Sequence, residues 1–256
     1  MKAVNELRIK IFGDGADKAT MLELSRNPLI RGFTTNPTLM RKAGISDYRG
    51  FAQDVLAAIP DKPISFEVFS DDFEEMKDQA LEIASWGTNV YVKIPVTNTQ
   101  GLSSAPLVAA LSSHRVQVNV TAIFTLEQVR EIMPCLAPNV CSCVSIFAGR
   151  IADTGRDPVP IMQKAMQLLS VNPAVELIWA SPRELLNVFQ ADEIGCHVIT
   201  VTQDVLNKLK VVGKDLTEYS LETVRMFYDD SVKAGYKFSP PSPALPSPQG
   251  TLGQPL

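Results

Sequence analysis

The sequence predicts an α/β protein of the (β/α)8 TIM-barrel class, and three observations lead there. Between residues 8 and 237, short β-branched runs alternate with amphipathic helical patterns. The β-then-α units recur about every 25–30 residues and call for an all-parallel sheet, and eight of them fit a closed barrel of ~250 residues. No Gly-x-Gly-x-x-Gly follows the first strand, where a doubly wound nucleotide-binding sheet would need one.

In chain order the predicted strands are Arg8–Phe12, Gly32–Thr35, Ile64–Phe69, Val90–Ile94, Val116–Ile123, Val140–Ile146, Val175–Ala180 and His197–Val201. Helical patterns fill the intervals, among them Asp72–Ala84, Leu126–Met133 and Arg183–Glu193. The last opens with Ser181-Pro182, a capping residue followed by proline at the first helical position. One catalytic domain over residues 1–238 follows. Residues 239–256 differ in kind, with six of the 18 prolines among Ser, Gly and Gln and no charge. They predict a disordered or polyproline-like tail outside the fold.

With 24 basic and 28 acidic side chains, 45% hydrophobic residues and a formal charge of −4, the 256-residue chain has the composition of an ordinary soluble globular protein. No basic run interrupts it, so neither nucleic acid nor an anionic membrane is an expected partner. The N-terminus lacks the apolar core of a signal peptide, and no stretch approaches the ~18 apolar residues of a membrane span. Cys135, Cys141, Cys143 and Cys196 contain no CxxC pair, and Cys141 and Cys143 share a strand face, poorly placed to bridge. Free thiols in a reducing cytoplasm are expected. Two histidines, His114 and His197, are too few for a histidine-based metal site, and neither metal nor cofactor is expected.

The barrel makes the polar residues legible, because strand side chains alternate between helix layer and interior, and barrel active sites sit at the strands' C-terminal ends. The fourth strand sends Val90, Val92 and Ile94 outward and turns Lys93 inward. The third sends Phe66 and Val68 out and Glu67 in. The fifth sends Val116, Val118 and Val120 out, with Asn119 and Thr121 in. Asp14 points in from the first strand, Asn36 closes the second, and Ser145 and Phe147 point in from the sixth. A lone lysine in an apolar strand is ordinarily a solvated edge residue or one that snorkels. Convergence of so many inward polar groups on Lys93 points instead to a catalytic centre.

A buried lysine without metal ligands suits attack of a neutral amine on a substrate carbonyl, giving a Schiff base. Desolvation disfavours the ammonium form and so helps. The protonated imine is an electron sink that permits cleavage or formation of the neighbouring carbon–carbon bond. Asp14 is the candidate base for the β-hydroxyl proton; Glu67 and Thr121 are placed to hold a proton-shuttling water. Asn36, Asn119 and Ser145 offer donors and acceptors for a polyhydroxylated substrate. Arg150, just past the sixth strand, and Arg183, just past the seventh, lie with Ser181 on the side of the barrel where phosphate sites recur.

These residues resemble the transaldolase family. Gly32-Phe33-Thr34-Thr35-Asn36-Pro37-Thr38-Leu39 resembles its Thr-Thr-Asn-Pro signature, and Val92-Lys93-Ile94-Pro95-Val96-Thr97 its Schiff-base lysine motif. Gly13-Asp14-Gly15-Ala16-Asp17, Asn119-Val120-Thr121 and Gly149-Arg150-Ile151 fall in the matching order, and the similarity spans residues 8 to about 236. The resemblance implies a metal-independent mechanism. Lys93 is the nucleophile, Asp14 the acid/base, and Glu67 and Thr121 flank the water; Asn36, Asn119 and Ser145 meet the sugar, and Arg150, Ser181 and Arg183 the phosphate. It implies sugar-phosphate substrates, and a homo-oligomer is expected. Within the family, transferases carry Glu and Phe where Glu67 and Phe147 stand, while free-ketone aldolases tend to Gln and Tyr, so a transferase is expected. Pro182 departs from the usual Ser-aromatic-Arg pattern. An aldolase on the same fold and a non-catalytic sugar-phosphate sensor are the rival expectations.

Overall fold

The computed structural model describes residues 2–238. Its elements run β1 (Lys10–Asp14), α1 (Lys18–Ser25), β2 (Ile30–Thr34), α2 (Pro37–Lys42), α3 (Tyr48–Ala58), β3 (Ile64–Glu67), α4 (Phe73–Ala84), β4 (Val90–Pro95), α5 (Ala105–Ser113), β5 (Val118–Ile123), α6 (Leu126–Ile132), β6 (Ser142–Ile146), α7 (Ala148–Asp153), α8 (Val159–Leu169), β7 (Val175–Trp179), α9 (Leu186–Glu193), β8 (Val198–Val201), α10 (Gln203–Asn207) and α11 (Leu216–Ala234). The eight strands pair in parallel in chain order, and β1 closes on β8. Sequence and structure agree on a (β/α)8 barrel.

Local chemistry sets the helix starts. The side chains of Asp17, Asp47 and Asp72 accept backbone N–H bonds at the first turns of α1, α3 and α4. Thr125 and Gln128 form a reciprocal capping box on α6. Outward strand residues such as Phe66, Val92, Val120, Val144 and Leu177 are fully buried against the helices. Inside the barrel, Phe12, Cys143, Ile178, Ala180 and Val198 form an apolar plug, with Tyr91 and Phe147 against it. The polar side chains at the strands' C-terminal ends rest on this plug.

Several boundaries differ from expectation for identifiable reasons. β1 starts at Lys10 because the amides of Arg8 and Ile9 donate to Asp192 Oδ1, at 2.6 and 2.9 Å. β3 stops at Glu67 because the amides of Phe69 and Ser70 turn to the Gln79 side chain. Ser181-Pro182 does not open a helix. Ser181 is left-handed at φ 58°, and Asn187 Oδ1 accepts the amides of Arg183 and Glu184, so α9 begins only at Leu186.

The compact barrel unit runs to Val212, and a second unit begins at Gly213. In that unit Asp215 caps α11, and Gly235 ends it in the left-handed conformation at φ 68°. The expected tail, residues 239–256, lies outside the described residues. Among the described residues no helix is long and apolar enough to cross a membrane.

Candidate active site

Ladder register sets Glu67 on β3, Lys93 on β4 and Asn119 on β5 side by side. All three share one face, and Lys93 is only 6% exposed. Its Nζ lies 2.8 Å from Glu67 Oε2 and donates to the Thr35 carbonyl at 2.8 Å. Two of three ammonium hydrogens are thus engaged, which answers how a charged lysine can be buried in a strand. Tyr48 on α3 holds Glu67 from behind. Its hydroxyl donates to the Glu67 carbonyl and accepts the Glu67 amide, both at 2.8 Å.

Lys93 and Glu67 open onto a cavity of about 530 Å³ at the C-terminal end of the barrel, also lined by Asp14, Asn36, Thr121, Ser145, Phe147, Arg150, Ser181 and Arg183. The structure therefore gathers ten of the eleven expected residues around one space. Asn119 is the exception. It is fully buried and does not line the cavity; its amide donates to Ser65 Oγ at 3.1 Å, and its Oδ1 accepts from Ser145 Oγ at 2.7 Å. It orients Ser145.

Asp14 accepts a hydrogen bond from Thr34 Oγ at 2.8 Å, and Thr34 in turn meets the hydroxyl of Thr200 on β8. Burial raises the Asp14 pKa above the usual carboxylate range; Lys93 and the Thr34 bond oppose that rise, and Glu67 adds to it. A base whose proton affinity is raised is better matched to taking and returning a substrate proton near neutrality. Thr121 Oγ is buried with no hydrogen-bond partner among the described residues, which leaves it available to a bound hydroxyl. The next residue, Ala122, is left-handed at φ 59°, where the β5–β6 register shifts. Asn36 caps α2 by accepting the Leu39 amide at 3.0 Å, so its amide nitrogen is the group left to donate.

Three cations line the rim of the cavity. Arg150 on α7 lies over the Phe147 ring at 5.2 Å. Arg183 pairs with Asp153, also on α7. Lys42, at the end of α2, lines the same cavity. Thr34, Thr200, Lys42, Tyr48 and Asp153 were not singled out from sequence. Thr34 stands in the quoted signature; the others carry no local motif. Among the described residues no three His, Cys, Asp or Glu side chains gather as metal ligands.

The family model described as Transaldolase/Fructose-6-phosphate aldolase matches residues 11–238. A relative from a Thermoanaerobacter species, named "Probable transaldolase", is 36% identical over 233 residues, covering 90% of this chain and all of the relative. One of the same name from Dehalococcoides mccartyi is 34% identical over 202 residues, covering 78% and 90%. Among solved structures, KGPDC from Streptococcus mutans superposes with a TM-score of 0.54 at 10% identity, covering 77% of this chain and 88% of that one. At that identity the likeness is one of fold alone.

Proposed function

This chain belongs to the transaldolase/fructose-6-phosphate aldolase family, and on that premise we propose that it is a transaldolase, moving a dihydroxyacetone unit from a ketose phosphate to an aldose phosphate through an imine on Lys93. The observation that carries the reading is Lys93 itself, a buried amine 2.8 Å from one carboxylate in a polar cavity that a second carboxylate, Asp14, also lines.

Glu67 is placed to take the Lys93 proton, which frees the amine lone pair to attack the ketose carbonyl carbon. Glu67 and the unpartnered Thr121 hydroxyl then manage the protons as the carbinolamine loses water. Asp14 takes the proton from the β-hydroxyl as the adjacent carbon–carbon bond breaks. The electron pair flows into the iminium, giving an enamine on Lys93, and the aldehyde leaves. An incoming aldose reverses these steps, with Asp14 returning its proton. Arg150 and Arg183 supply the charge for the terminal phosphate.

Glu67 and Phe147 favour the transferase over the aldolase within the family. Phe147 adds no hydroxyl to the cavity that would bind and reorient the catalytic water. The test is a coupled assay with fructose 6-phosphate, run with and without erythrose 4-phosphate. A transferase turns over only with the acceptor. Free dihydroxyacetone released equally fast without it would make the protein an aldolase, and no reaction in either arm would leave only a binding role.

A further inference from the structure

An arginine presents five N–H donors, and Asp153 uses two of those on Arg183. Nε donates to Oδ1 at 3.0 Å, and Nη2 donates to Oδ2. This is a side-on pairing. Among the described residues nothing takes the Nη1 hydrogens or the second Nη2 hydrogen, so the end-on fork can still receive two oxygens of an anion. Arg183 lines the cavity, whereas Asp153 does not.

The rest of the arginine is fixed by the same helix. A Cβ on Gly149 would lie 1.6 Å from the Ser181 carbonyl oxygen and 3.3 Å from Arg183 Cγ. The loop after β7 therefore rests directly on α7 at Gly149. The Arg183 side chain passes along that face to Asp153, one turn further on at i+4. Arg150 belongs to the same helix and lines the same cavity.

Stability does not explain the pair. The two side chains are 48% and 50% exposed, and ion pairs that open to water contribute little. Asp153 is also the last residue of α7, where the helix dipole disfavours an anion. What the pair does is set direction. We infer that Asp153 is a positioning residue of the anion site, holding Arg183 side-on so that its free fork faces the phosphate of a sugar phosphate. This rests on reading the cavity as a sugar-phosphate site. The opposite arrangement, in which Asp153 occupies Arg183 and phosphate must displace it, predicts the opposite sign.

The test is calorimetric titration of the full-length protein with inorganic phosphate at low ionic strength, where charge effects are least screened. Asp153→Ala weakens phosphate binding roughly three- to tenfold, and Asp153→Asn, which keeps one acceptor, falls between. Both variants keep their thermal midpoint within about 2 °C, as an exposed pair requires. Phosphate binding that is unchanged or tighter in Asp153→Ala overturns the positioning role while leaving the anion site intact. If the unmodified protein binds no phosphate, or if Arg150→Ala and Arg183→Ala leave its phosphate binding unchanged, the anion site itself falls and Asp153's role with it.

Discussion

The hydroxyl of Thr34 donates to Oδ1 of Asp14 across 2.8 Å, and its direction is fixed by proton counting. Thr34 has one hydroxyl proton and spends it on Asp14, so Thr200 must be the donor in the Thr34–Thr200 pair. A chain from Thr200 through Thr34 thus ends on one carboxylate oxygen and leaves the other for chemistry.

Thr34→Val removes a bond to the ionised form of Asp14, worth about 1.5–3 kcal/mol. The acid limb of kcat/KM should move to higher pH, because the carboxylate then holds its proton more tightly. Thr200→Val should act in the same direction but more weakly, and have almost no effect in the Thr34→Val background, since it works through Thr34. A pH profile of the four proteins checks this; equal shifts from Thr200→Val in both backgrounds would refute the chain.

Asp14 also predicts an exchange of stability for activity. Its folded pKa is raised, chiefly by burial, so the native state binds more protons than the unfolded state between the two values. Its contribution is therefore favourable at acid pH and is lost as pH rises from about 4 through the folded value. Asp14→Asn should abolish turnover yet melt higher than the parent at pH 7, with the difference closing below about pH 4. Thermal melts across pH read the outcome directly.

Tyr48→Phe deletes the hydroxyl that serves both the amide and the carbonyl of Glu67. Leaving such groups unpaired costs about 1–3 kcal/mol. The expected result is an unfolding free energy, read from urea denaturation, lowered by that amount, with turnover reduced because Glu67 loses the support that faces it toward Lys93.

Gly149→Ala sets two effects against each other. Alanine within a helix ordinarily gains over glycine, by up to about 1 kcal/mol in a helix interior and less in a first turn such as Gly149 occupies. Here the added Cβ would stand 1.6 Å from a backbone oxygen, and the loop holding Ser181 and Arg183 must move. Overpacking of this kind costs about 1–3 kcal/mol, so the variant should be less stable by urea denaturation, with KM raised for phosphorylated donors.

Strand alternation made Lys93, Glu67 and Asp14 legible because period two decides which face a residue takes. It does not give depth along the barrel axis: Asn119, in register with Lys93, is wholly buried and bonds the hydroxyls of Ser65 and Ser145. The eighth strand reads as an apolar run, which hid Thr200. The Arg183–Asp153 pair joins residues 30 apart with α8 and β7 between them, and neither residue type announces its partner. α9 starts later than Ser181-Pro182 suggests because the Asn187 side chain competes with the helix for the amides of Arg183 and Glu184. Terminal strand residues were overcounted for the same reason at Arg8 and Ile9, whose amides go to a distant aspartate.

The central claim is that Lys93 forms the covalent bond to substrate. Borohydride reduction in the presence of fructose 6-phosphate, followed by peptide mass analysis, tests it most directly. The account predicts a dihydroxyacetone-derived mass on the peptide containing Lys93, absent from Lys93→Met. An adduct that persists in Lys93→Met, or none in a protein that still transfers the three-carbon unit, would contradict it.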